Sequence, residues 1–80
     1  MTNTALLRQK IKESGMTIVS ICEKTGILRE TLYNKLNGER EFKASEIYLL
    51  SEVLNLSYDD RDAIFFAGKV ELNATKREES

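Results

Sequence analysis

Residues 16–38, MTIVSICEKTGILRETLYNKLNG, decide how this chain is read. Two short segments with helical apolar spacing flank Gly26. Thr17 precedes the first and offers a hydroxyl acceptor for a helix start. This predicts a helix over about Ile18–Thr25 that turns Ile21, Cys22 and Thr25 inward. A second helix follows over about 29–37, with Leu32 and Leu36 one turn apart on its buried side. Glycine adopts the left-handed backbone conformation without a Cβ penalty, so Gly26 suits the turn between them.

Outward from this stretch the same logic yields three more helices. The first runs over about Thr4–Ser14, with Leu7 and Ile11 buried and Gly15 closing it. Gly38 ends the third helix, and a fourth runs over about 44–54 along a stripe of Ala44, Ile47, Leu50 and Leu54. The fifth starts after Ser57, whose hydroxyl caps it, and runs to about Phe66. Asp59 and Asp60 suit the positive end of its dipole. No proline interrupts the pattern. The fold class expected is all-α, a five-helix domain over residues 1–67 with a C-terminal tail over 68–80. Within the tail, Lys69 to Asn73 alternates polar and apolar residues, a weak strand signal and a candidate dimerisation strand. The residues from Thr75 onward have no periodicity and are expected to fray.

Composition narrows the function. Eighty residues and 9.1 kDa make one small domain, too small for a deep substrate cleft with a lid. The chain has no histidine, so neither an imidazole metal ligand nor a Ser/His or Cys/His nucleophile pair exists. A single cysteine excludes an intramolecular disulfide and a CxxC zinc site. No cofactor, metal or small-molecule ligand is expected, and an enzyme is disfavoured. No apolar run approaches the ~20 residues needed to cross a bilayer, and no signal peptide opens the chain. The cytoplasm is the expected compartment.

The net charge of −1 argues against a nucleic-acid partner, but its distribution argues otherwise. Residues 1–40 carry seven basic and four acidic side chains, whereas residues 41–80 carry five and nine. A basic half joined to an acidic half is compatible with DNA binding through one face.

Small Cys22, four residues before Gly26, lets two helices approach closely where they cross at a steep angle. A small residue, a glycine turn and two short helices form the helix-turn-helix signature. With Thr17, Ile21, Cys22, Gly26-Ile27, Thr31-Leu32 and Lys35-Leu36-Asn37-Gly38, the chain resembles the Cro/CI-type helix-turn-helix family. That family comprises the five-helix domains of phage repressors and many bacterial regulators. Ile47, Leu50, Leu54-Asn55-Leu56-Ser57 and Ile64-Phe65-Phe66 extend the resemblance over about residues 4–66.

The resemblance implies that the third helix lies in the DNA major groove while the second crosses the backbone. Leu28, Arg29, Glu30, Tyr33 and Asn34 would then face the bases. Arg29 matches guanine O6 and N7, Asn34 matches adenine N6 and N7, Glu30 accepts from cytosine N4 or holds Arg29, and Leu28 meets a thymine methyl. Tyr33 stacks on or bonds to DNA, or covers the helix surface. Phosphate contacts would come from the amides near Thr17 and Ile18 and from Asn37, Arg40 and Lys43.

This sequence also departs from the family pattern. Ile18 stands where glutamine is frequent, and Leu28 where serine or threonine caps the third helix. Lys35 occupies a position that is apolar in many members. Leu36 is expected to pack on Ile11, where some relatives bury an Arg–Glu pair.

Other features read more simply. Cys22 is a packing thiol, and Asp59, Asp60 and Asp62 are helix-start charges without the glycine and glutamate of a calcium loop. Arg8, Lys10 and Lys12 form a solvated face or touch phosphate. The expected function is a sequence-specific transcriptional regulator of phage or prophage Cro-like or repressor type. Its partner would be double-stranded DNA with a near-palindromic operator. A homodimer through the fifth helix and Val70–Leu72 fits this reading. The alternative is a protein-interaction module on the same fold, an antirepressor or adaptor that does not itself bind DNA.

Overall fold

A computed structural model of the chain describes residues 2–66. These form five helices: α1 (Thr4–Ser14), α2 (Ile18–Thr25), α3 (Arg29–Leu36), α4 (Ala44–Val53) and α5 (Tyr58–Phe65). The expected all-α architecture is present, and the tail with its candidate strand lies outside the described residues. α1 packs against α3 and α5, α2 against α3 and α4, and α4 against α5.

Short polar side chains start three of the helices. Asn3 Oδ1 accepts the Leu6 N–H at 3.1 Å, Thr17 Oγ1 the Ser20 N–H at 3.0 Å, and Ser57 Oγ the Asp60 N–H at 3.0 Å. α3 has no side-chain cap, because Leu28 precedes it and carries no acceptor. α3 ends one residue earlier than expected, with Asn37 as its C-cap. Gly26 closes α2 at φ +79°, and its N–H donates to the Cys22 carbonyl at 2.8 Å. Thr25 secures the turn from inside. Its hydroxyl donates to the Ile21 carbonyl at 2.8 Å and accepts the Ile27 N–H at 3.2 Å. After α4, Asn55 takes the left-handed conformation at φ +55°, a role the sequence pattern did not signal.

One core gathers Leu7, Ile11, Ile21, Ile27, Leu32, Leu36, Phe42, Leu50, Leu54, Ile64 and Phe65. Ile11 and Leu36 both belong to it, so α1 and α3 meet through apolar packing. One expectation is corrected. Ala44 is exposed, because the first turn of α4 projects beyond the core and Phe42 fills that corner, edge-on to Phe65 with ring centroids 5.4 Å apart. Cys22 turns inward as expected and packs, half-buried, against the core. The Asn3 N–H donates to the Ile64 carbonyl and Lys10 pairs with Asp60 at 3.4 Å, tying α1 to α5.

Candidate nucleic-acid interface

α3 is an eight-residue helix whose inner side is Leu32, Lys35 and Leu36. Helical geometry therefore turns the residues between them outward. Leu28, Arg29, Glu30 and Tyr33 are exposed, with Leu28 at 74% of its full surface, and Asn34 is half-buried. All five therefore lie at least partly at the surface of α3 or of its N-cap. Among the described residues Glu30 forms no ion pair with Arg29, so the suggested hold of one on the other is absent from this structure. Burial raises the Cys22 thiol above its ordinary value, and the Arg29 charge offsets this only in part. The thiol is thus poorly ionised and suited to packing.

The flanking residues fall into separate places. Thr17 caps α2 from an exposed position, while half-buried Ile18 packs against the core and offers only its backbone N–H outward. At the far end of α3, Asn37 Oδ1 accepts a 2.8 Å hydrogen bond from Arg8 of α1. The bond fixes the amide through its oxygen and leaves its NH2 as the donor end of an exposed side chain. Sequence reasoning left Arg8 out of the site, and no local signal links residue 8 to residue 37. Arg40 and Lys43 are exposed on the segment between α3 and α4.

A concavity is lined by Glu30, Thr31, Asn34 and Lys35 of α3 together with Arg40, Glu41, Lys43 and Glu46. Its formal charges balance, but they are not equally free. Glu46 is held by Lys35, and Glu41 accepts from the N–H and hydroxyl of Thr2 at 3.2 and 3.1 Å. Thr2 is a neutral donor and leaves the Glu41 charge in place, so Arg40 and Lys43 stand against Glu30 and Glu41. The surface therefore combines exposed hydrogen-bonding side chains on α3 with cationic donors from the segment before α4.

Lys35 and Glu46 are the polar residues that sequence reasoning missed. Lys35 is 4% exposed, deep for an ammonium. Its Nζ donates to Glu46 Oε1, the same oxygen that accepts the Lys43 N–H at 2.8 Å. Burial pushes the Glu46 carboxyl up, but the hydrogen bonds from Lys35 and Lys43, and their charges, outweigh it and leave it below its ordinary value. The available signal was spacing: Lys35 follows Leu32 by three residues, on the buried stripe.

Among the described residues no helix is long and apolar enough to cross a membrane, and no cluster of His, Cys, Asp or Glu could hold a metal ion. Asp60 instead pairs with Lys10 and Asp62 with Arg61. No curated protein and no solved structure matches the chain significantly. The family model described as Helix-turn-helix matches residues 7–61, a span that holds most of α1, all of α2 to α4, the turn after α2 and the start of α5. With most of its length matched, the chain belongs to the lambda repressor/Cro-like helix-turn-helix family of DNA-binding regulators.

Proposed function

We propose that the chain is a sequence-specific transcriptional regulator of phage or prophage Cro-like or repressor type, acting in the cytoplasm on double-stranded DNA. α3 enters the major groove, and Leu28, Arg29, Glu30, Tyr33 and Asn34 read base edges. The amides at Thr17 and Ile18 with Asn37, Arg40 and Lys43 hold the phosphates. The observation that supports this reading is the exposed side of α3, which shares a concavity with the cationic Arg40 and Lys43. Arg8 joins the phosphate contacts by aiming the Asn37 amide.

Fluorescence anisotropy on a random-sequence duplex tests it. Micromolar or tighter binding at low salt, falling steeply as salt rises, is expected. Absence of binding at low salt overturns the reading and favours the adaptor. On an operator selected from random duplexes, Arg29→Ala is expected to cost ~1–3 kcal/mol and to relax specificity at one base pair. Lys43→Ala weakens all sequences about equally and lowers the salt slope. If both variants bind as wild type does, the assigned face is wrong.

A homodimer is the second part of the proposal. A groove between α4 and α5 is floored by Phe42, Ile47, Leu56 and Phe66 and rimmed by Tyr48 and Tyr58, which are 65% and 78% exposed. An apolar floor with a polar rim favours a protein contact. In such dimers the two recognition helices stand ~34 Å apart, matching a near-palindromic operator. Sedimentation equilibrium at tens of micromolar is expected to return a dimer mass, and a monomer alone overturns the free dimer.

A further inference from the structure

We propose that Glu46, held by Lys35, is a positioning residue that sets the base-reading edge of α3 against the phosphate-holding segment before α4. The inference rests on the DNA-binding reading above and deepens it. A buried ion pair contributes little net stability compared with apolar residues of the same volume, because both charges lose their water. Lys35 lies between Leu32 and Leu36 on a short helix, where an apolar residue would pack with them. The pair therefore needs an explanation other than stability.

Its geometry supplies one. Lys35 to Glu46 is the only side-chain hydrogen bond between α3 and α4 among the described residues. Apolar contacts are non-directional and tolerate a small rotation of one helix on another. A charge-assisted hydrogen bond is short and directional. Oε1 of Glu46 takes both this bond and the Lys43 N–H, so one atom joins α3 to the N-terminus of α4. The ammonium stands 5.9 Å from the Phe42 ring centroid, and Phe42 packs on Phe65, which braces the pair from below. On the open side, Glu30 and Asn34 of α3 share the concavity with Arg40 and Lys43. Turning α3 within its seat would change the spacing of base readers to phosphate holders. The pair opposes that turn.

The test uses the full chain, as wild type, as the K35M/E46L double variant and as E46Q. Binding is read by anisotropy on the selected operator and on random duplex at one salt concentration, alongside thermal melting. The double variant is expected to melt at or above the wild-type temperature. Its operator affinity falls roughly tenfold while random-duplex affinity holds, because the phosphate holders remain but their register to the bases is lost. E46Q keeps an oxygen for the Lys43 N–H and loses the charge, so its operator-to-random ratio falls less, by about threefold.

A folded double variant with the wild-type ratio overturns the proposal. If the double variant does not melt cooperatively, E46Q decides alone, and an unchanged ratio is the overturning result. Residual dipolar couplings separate this failure from failure of the DNA reading. A wild type that ignores DNA removes that reading. A double variant with the wild-type α3–α4 orientation removes the positioning role whether or not DNA binds.

Discussion

Lys35→Met alone is expected to lower stability by about 3 kcal/mol, read as a fall in the urea midpoint at pH 7. The methionine fits the apolar surroundings of Lys35, so the loss arises at its partner. Glu46 is left as a carboxylate with 13% of its side chain exposed and without the ammonium that bonds it. Breaking a buried pair on one side costs about 3–5 kcal/mol. The low end applies because Glu46 keeps the Lys43 N–H at 2.8 Å and a margin of water contact.

The pH dependence gives this prediction a sign. In the wild type the Glu46 carboxyl sits below its ordinary value, because the Lys35 and Lys43 interactions outweigh burial. Its stabilising contribution is complete above the unfolded carboxylate range and is lost as pH falls through the lowered folded value. Without Lys35, burial still raises that value while the hydrogen bond and charge of Lys35 no longer lower it, so it moves upward from its wild-type position. The variant then gains relative stability as Glu46 protonates, so its deficit is smaller at pH 4 than at pH 7. A deficit independent of pH would mean that lost packing by the lysine stem is responsible.

Leu32→Ala is expected to cost about 2–5 kcal/mol, with a matching drop in melting temperature. Leu32 is fully buried and belongs to the core under α3, together with Leu36, Ile21 and Leu50. Truncation removes its transfer free energy and leaves a cavity that rigid neighbours do not fill. A domain of this size holds only about 4–12 kcal/mol in total. The loss therefore also raises the unfolded fraction at DNA-binding temperatures. Leu28→Ala is the contrasting change: Leu28 is 74% exposed and its removal leaves stability within about 0.5 kcal/mol. A large stability loss at Leu28 would place that side chain in the core and out of reach of DNA.

Much of the fold was legible because its determinants are local. The helix limits at Thr4, Ser14, Ile18, Thr25, Ala44 and Tyr58 agree with the structure. All but Ala44 depend on a residue adjacent in sequence, whether an Asn, Thr or Ser oxygen or a glycine that accepts positive φ; at Ala44 the Glu46 carboxylate accepts the Lys43 N–H three residues back. The outward side of α3 was legible for the same reason, since its periodicity follows from Leu32 and Leu36. Phe42 and Asn55 were not. Their surroundings are built from α5 and from the turn after α4, which spacing around each residue does not reveal.

Local chain chemistry by itself thus settles which segments are helical, where the turn at Gly26 falls and which side of α3 faces outward. Periodicity and capping act over three or four residues and are written in the sequence order. Which polar side chains meet was decided only when the helices packed. Arg8 finds Asn37 across 29 positions and Lys35 finds Glu46 across 11. A hydrogen bond needs its atoms within about 3 Å, and only the crossing of α1 with α3 and the packing of both α3 and α4 on α2 bring them there.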